Sequence, residues 1–118
     1  MTNPFLDQEK FMRACDQSVG KFNETQYQLY CNLISEEFNE LIASKTKQDD
    51  LDALIDILVV TIGAIHSLGA DGEGAWNEVM RTNFAKIDDE TGKVRKREDG
   101  KVLKPQGWQP PELERFLR

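Results

Sequence analysis

The sequence has one histidine and two cysteines in 118 residues. Zinc prefers imidazole and thiolate ligands, and a carboxylate di-iron bundle needs two Glu-x-x-His motifs. His66, Cys15 and Cys31 therefore disfavour the first and exclude the second. Two cysteines and no recognisable secretory signal point to reduced thiols and a cytoplasmic location. A basic surplus is also missing. Fifteen Lys and Arg stand against 21 Asp and Glu, a net charge of −6, so no nucleic-acid polymer is expected as a partner. No long apolar run is present either. The longest, Leu54 to Ile65, is broken by Asp56 and is too short to span a bilayer, so no membrane is expected.

What is present is a chain sized for one domain, residues 1–118, slightly poor in apolar residues at 39%. A monomer this small is marginal, so self-association is expected to help. The charge is uneven. Residues 1–83 carry 6 basic and 14 acidic side chains, and residues 84–118 carry 9 and 7. An acidic body with a mildly basic tail suits an anionic ligand that arrives with a metal ion.

The body, about 4–87, reads as helices. Asn3-Pro4 opens a first helix to about Ser18, stopped by Gly20. Thr25 caps a second to Ser44 or Lys45, with Tyr27, Tyr30, Cys31, Ile34, Phe38, Leu41 and Ile42 at steps of three and four. Gln48-Asp49-Asp50 caps a third, ending at Gly69. It is apolar nearly all round from Leu54 onward, so it is expected to be the central, buried helix. Asp71 starts a fourth reaching about Lys86, with Trp76, Val79, Met80 and Phe84 on one side. In the tail, 88–118, Thr91-Gly92 and Asp99-Gly100 are turn signals for a short hairpin or loop. An extended segment follows, with a last helical turn near Glu112–Arg118. The fold class is thus all-α: a four-helix-bundle-forming chain that oligomerises.

Carboxylates carry the chemical signal. Glu36, Glu37 and Glu40 fall within an arc of about 100° on the second helix. Asp49, Asp52 and Asp56 lie on nearly one line of the third, with the small residues Ala53 and Gly63 beside them. Asp56 sits inside Ala53-Leu54-Ile55-Asp56-Ile57-Leu58-Val59-Val60. A carboxylate in that setting is costly unless something pairs with it. Acids from two helices turned toward one groove take up protons, meet basic groups or bind a cation. All the candidate ligands are oxygens, the donor set of magnesium.

The pattern Glu36-Glu37-x-x-Glu40, followed sixteen residues later by an aspartate in an apolar helix, resembles the all-alpha nucleoside triphosphate pyrophosphohydrolases. That superfamily includes MazG-like proteins, dimeric dUTPases and phosphoribosyl-ATP pyrophosphohydrolases. The likeness covers about residues 25–87. Asn83-Phe84-Ala85-Lys86, Asp99-Gly100-Lys101 and Lys104-Pro105-Gln106-Gly107-Trp108 extend it toward the MazG-like and phosphoribosyl-ATP-pyrophosphohydrolase-like subtype. The resemblance implies a helical bundle forming a homodimer or homotetramer, with magnesium (or manganese) held by acids of the two central helices. Glu37, Glu40 and Asp56 match ligand positions. Glu36 matches the leading glutamate, which binds a further ion or orients water, so Glu36 and Glu37 are the catalytic candidates. The family's glutamate three residues before the final aspartate is Ala53 here. Asp52, one turn before Asp56, is the expected substitute and the fourth metal candidate.

The implied reaction is hydrolysis of a (deoxy)nucleoside triphosphate to the monophosphate and pyrophosphate, in nucleotide-pool house-cleaning. Asn83, Lys86, Lys104 and Trp108 are the substrate-binding candidates. Lys86 is assigned to phosphate and Asn83 to sugar or phosphate. Trp108 either stacks on a base or clamps the tail. Trp76 is expected to pack in the core, His66 to be structural, and Cys15 and Cys31 to be small core residues. Two other readings stand beside this one: a phosphoribosyl-ATP pyrophosphohydrolase, and a non-catalytic helical module with acidic rows facing solvent or a basic partner.

Overall fold

The computed structural model describes residues 3–118. Four helices follow one another: α1 (Pro4–Ala14), α2 (Glu24–Ala43), α3 (Lys47–Leu68) and α4 (Gly72–Phe84). A single 3-10 turn, Glu114–Phe116, comes near the end. Among the described residues there is no strand, only three isolated antiparallel bridges. The chain divides into two compact units, one running to Gly72 and including Phe116–Arg118, the other spanning Glu73–Arg115.

In the first unit α2 and α3 pack against each other and α1 packs on α3. Two contacts fix the antiparallel register of α2 on α3. Gln26 donates from Nε2 to Ser67 Oγ at 2.7 Å, and four residues further along α2 the Tyr30 ring lies directly over Gly63, four residues back along α3. Gly63 has no Cβ, and one placed there would overlap the Tyr30 ring. The helices approach closely at this point because that side chain is missing. Around it Met12, Tyr30 and Ala64 form the buried cluster, with Val19, Tyr27, Leu33, Ile34 and Val60 packed against it. Burying a side chain such as Met12, fully enclosed here, stabilises the fold by about 1.5–3 kcal/mol.

Helix ends differ from the sequence expectation by one to four residues, for identifiable reasons. α1 stops at Ala14, not Ser18, because Asp16 adopts the left-handed region at φ 59°. The Asp16 and Gln17 amides then bond back to Arg13 and Met12 carbonyls at 3.1 and 3.0 Å, closing a Schellman motif. Asn23, not Thr25, caps α2, accepting from the Gln26 amide at 3.0 Å. Thr46, not Gln48-Asp49-Asp50, caps α3, accepting from the Asp49 amide at 3.0 Å. Each such cap contributes about 1 kcal/mol. Gly69 ends α3 as expected, at φ 86°. α4 begins one residue later than expected and stops at Phe84, two residues short of Lys86.

Burial departs from expectation more sharply. α3 is two-faced, not buried all round. Ala53, Ile62, Gly63, Ala64, His66 and Ser67 are buried, while Leu51, Leu54, Ile55, Leu58 and Val59 are exposed, as are Phe38 and Ile42 of α2. Apolar periodicity marks a face to be covered, and one copy of this chain leaves part of that face open. At 22 residues, α3 is also long and apolar enough to cross a membrane by length and composition. The sequence expectation rested on uninterrupted runs, and Asp56 breaks the run without breaking the helix. Cys15 is exposed and Cys31 half-buried. His66 is structural: it is buried and donates from Nε2 to the Phe5 carbonyl at 2.8 Å.

The second unit is organised by Glu78. Its side chain is 3% exposed and accepts from Arg81 Nε at 2.8 Å and Arg81 Nη2 at 3.0 Å. The Glu112 amide, 2.8 Å away, donates to it as well, and Arg115 lies 3.5 Å off. One carboxylate thereby ties the end of the tail to α4. Trp108 makes a second tie, donating from Nε1 to the Thr82 carbonyl at 2.6 Å. Between these, the bridges Ile87–Val94 and Lys96–Val102 close the turns that Thr91-Gly92 and Asp99-Gly100 signal. Trp76, expected in the core, is 59% exposed.

Two outcomes follow from these contacts. Gly63→Ala gains up to about 1 kcal/mol of helix propensity but forces Tyr30 off its site at an overpacking cost of about 1–3 kcal/mol. The urea unfolding midpoint is therefore expected to fall, and an unchanged or higher midpoint contradicts the close approach. Glu78 is held down at about 2 by the Arg81 hydrogen bonds, the Glu112 amide and the nearby guanidinium charges. A depressed carboxylate stabilises the fold fully above its unfolded value and loses that contribution as pH falls toward the folded value. Thermal midpoints measured from pH 5 down to pH 2 should drop less steeply in Glu78→Gln than in the parent, from a lower starting point at pH 7.

Candidate functional site

The register set by Gln26–Ser67 and Tyr30–Gly63 continues for two more helical turns. Seven residues beyond Tyr30 on α2 is Glu37, and seven residues before Gly63 on α3 is Asp56. Seven residues is close to two full turns, so the pair that follows the Tyr–Gly contact on the same face is Glu37 with Asp56. Glu40, one turn on from Glu37, joins them. Carboxylate oxygens of Glu37, Glu40 and Asp56 all lie within 4.8 Å of one another.

The electrostatics of this cluster are unfavourable as it stands. Glu37 is half-buried, and its Oε2 is shielded from solvent with no hydrogen-bond partner. Its carboxyl is pushed above the usual carboxylate range. The hydrogen-bonding approach of Glu40 is the first cause, burial the second, and the charges of Glu40, Asp56 and Asp52 follow. A buried polar atom without a partner is uncommon in a native fold, and here it belongs to one of three clustered acids.

A divalent cation fits this arrangement. Oxygens bound to one ion at 2.0–2.6 Å stand at most about 4–5 Å apart, which is the spacing found. The donors are all carboxylate oxygens, suited to hard cations. A cation would also partner the isolated Oε2 and offset the mutual repulsion of the acids.

The remaining sequence candidates separate clearly. Asp52 is exposed and stands outside the three-residue cluster, although its charge reaches Glu37. Buried Ala53 holds the register position opposite Glu40, so the fourth oxygen expected from α3 is not delivered to that spot. Glu36 is exposed on the adjoining arc of α2 and is likewise outside the cluster. In the second unit, Asn83, Lys86, Lys104 and Trp108 are brought together. Lys86 donates to Asn83 Oδ1 at 3.0 Å. Lys86 Nζ and Lys104 Nζ each sit 5.0 Å from the Trp108 ring centroid. With its Nε1 bonded to Thr82, Trp108 is a clamp on the tail whose face is occupied by cations. Arg81, on the same helix, is paired with Glu78.

Glu78 itself escaped the sequence reading. The signal was present: a glutamate three residues before Arg81, followed directly by the apolar Val79 and Met80.

Comparison with known proteins agrees with this geometry. The family model for phosphoribosyl-ATP pyrophosphohydrolase matches residues 8–83, which contain the three clustered acids and the helices that carry them. No curated protein matches the chain. Proteins of this family hydrolyse a pyrophosphate anhydride in a nucleotide and are typically dependent on divalent metal. The chain belongs to the phosphoribosyl-ATP pyrophosphohydrolase family, within the all-alpha nucleoside triphosphate pyrophosphohydrolase superfamily.

Proposed function

We propose that the chain hydrolyses a nucleoside or deoxynucleoside triphosphate between its alpha and beta phosphates, with magnesium (or manganese) held by Glu37, Glu40 and Asp56. The observation that carries this reading is the unpartnered Oε2 of Glu37 among three converging acids. When bound, the cation supplies charge neutralisation and Lewis-acid polarisation of the phosphate oxygens. The chain's own groups do the rest. Glu37, Glu40 and Asp56 fix the position of that positive charge. Glu36, exposed and ionisable beside them, accepts a proton from the attacking water as general base. Asp52 adds negative charge at the rim and raises the attraction for cations without lending an oxygen to the cluster. Asn83 and Lys86, already hydrogen-bonded to each other, offer an amide and an ammonium to sugar and phosphate, and Lys104 adds a second cation.

Phosphoribosyl-ATP as substrate fits equally well, because the matched family bears that name and the cleaved bond is the same. We further propose that the exposed apolar face of α2 and α3 is covered by a second copy, giving a homodimer or homotetramer. Asp52 and Asp56 on α3 make lipid a poor cover, since an aspartate costs about 2.5–3.5 kcal/mol at the centre of a membrane helix. A cytoplasmic setting, where nucleotides and magnesium are abundant, is part of the same proposal.

Two measurements test the reading. Magnesium present at one hundred times its dissociation constant is expected to stabilise the folded protein by about 2.7 kcal/mol, seen as a higher melting midpoint than in EDTA. Asp56→Asn should erase most of that gain, and a parent melt indifferent to magnesium would favour the non-catalytic module. Product identification across the eight common ribo- and deoxyribonucleotides, with phosphoribosyl-ATP as a ninth, should yield pyrophosphate and a monophosphate. Glu40→Gln and Asp56→Asn are expected to lower kcat/KM by at least about 100-fold, the size of effect seen when one electrostatic stabiliser of a transition state is lost. Release of single phosphates would overturn the assigned bond.

A further inference from the structure

We infer that the second unit holds a phosphate-binding cavity of its own, in which Arg95 acts together with Lys86 and no metal is needed. The inference rests on the function proposed above for the kind of anion, a phosphate or diphosphate group carried by a small molecule, and for Lys86 as one of its contacts.

The cavity has a volume of 290 Å³ and is walled by the turn just after α4, residues 85–88, and by Arg95, Leu103 and Pro105 of the bridged loop that follows. That is far more than a single water requires. Lys86 and Arg95 line it, together with the apolar side chains of Ile87, Leu103 and Pro105. Asp88 is the one acid in the wall. Its Oδ1 is turned into the chain, accepting from the Glu90 amide at 2.8 Å and the Thr91 amide at 3.3 Å, where it closes a turn.

Ion pairing in this unit singles out Arg95. The unit has four arginines. Arg81 and Arg115 are on Glu78 and Arg97 is on Asp99 at 2.7 Å. Among the described residues Arg95 has no carboxylate partner, and neither have Lys86 and Lys104. The two lysines instead share one aromatic ring, each 5.0 Å from the Trp108 centroid. Ammonium groups are attracted to an indole ring, and among the described residues neither lysine has a carboxylate partner. Three cations without carboxylate partners at and beside one concave site, the exposed Arg95 among them, suit a compact polyanion. Arginine adds what lysine lacks: a planar fork that takes two phosphate oxygens at once.

The test uses the full-length chain with Trp76→Phe, which leaves Trp108 as the one tryptophan and as reporter of the lysines on its face. Titrations are made in EDTA at constant ionic strength with inorganic pyrophosphate and, separately, with ribose 5-phosphate. A saturable change in Trp108 emission is expected with at least one of them. Saturation by pyrophosphate alone assigns the cavity to a diphosphate, and saturation by ribose 5-phosphate assigns it to a phosphate monoester. Arg95→Gln should raise the midpoint roughly tenfold, the loss expected for one charge-assisted pair. Lys101→Gln, which removes the same charge from the same bridged loop outside the cavity, should change it less than about twofold. No saturation by either anion, or equal weakening by the two variants, overturns the inference. Failure here with magnesium-dependent hydrolysis intact removes the cavity alone. Saturation here without hydrolysis removes the reaction assignment alone.

Discussion

The antiparallel register of α2 on α3 is the constraint on which the rest of this protein depends. Three successive contacts on one face share it: Gln26 with Ser67, Tyr30 with Gly63, and Glu37 with Asp56. The first two are attractive or space-filling. The third is repulsive and would drive the helices apart if it stood alone. The helices hold because the polar clasp at Gln26 is fully satisfied. Its Nε2 serves both Ser67 and the Ser18 carbonyl, and its Oε1 accepts from the Ser18 amide. The Tyr30–Gly63 contact also leaves no space for sliding. A slip of one residue would rotate the facing side chains by about 100°, breaking the clasp, lifting Tyr30 out of its notch and dispersing the acids. Packing and chemistry are thus set by the same turn-by-turn repeat.

Two glutamates show what this molecule does with a shielded carboxylate. Glu78 is given two guanidinium groups and a backbone amide, and is driven down to about 2. It is charged at neutral pH and bonded to its own neighbours. Glu37 is given other acids and no donor for one oxygen, and is driven upward. The residue type is the same, and the environments push in opposite directions for the physical reasons that govern any titrating group: neighbouring charge, hydrogen bonding and desolvation. The satisfied acid holds the tail to α4, and the unsatisfied one marks the candidate metal site.

The helices and the acidic cluster were largely legible in the sequence, and the reasons are specific. A carboxylate at position 56 amid Leu, Ile and Val is conspicuous because helical spacing turns it inward. Glu37 and Glu40 share its groove because four-residue steps stay on one face. Helix caps were legible only approximately. Several short polar residues stand near each start, and the one with the right backbone angles, Asn23 or Thr46, is chosen by the folded chain. What covers an apolar face was not legible at all. Periodicity identified α3 as apolar, but Leu51, Leu54, Ile55 and Leu58 lie outside the packing of one copy, as Trp76 does on α4. Glu78 was passed over because isolated glutamates on helices are ordinarily solvated, and its tail partners Glu112 and Arg115 lie more than thirty residues away.

Ala53 shows how register decides between two acids that a helical wheel scarcely separates. Asp52 and Asp56 lie one turn apart on α3, and helical spacing alone puts both on the face toward the groove. The register puts position 53, not 52, opposite Glu40, and position 53 carries a methyl group. Asp52 is left at the rim, exposed, where Coulomb's law still lets it act on Glu37. Range separates the two roles. Coordination demands an oxygen within about 2–2.6 Å of the ion, whereas electrostatic attraction persists over roughly a Debye length of about 8–10 Å. A cation at the cluster would therefore meet three protein oxygens and feel four charges. A hard divalent cation, which binds through few carboxylates and keeps several waters, would be held by these three oxygens and would supply charge neutralisation there, while Asp52 would add only its field.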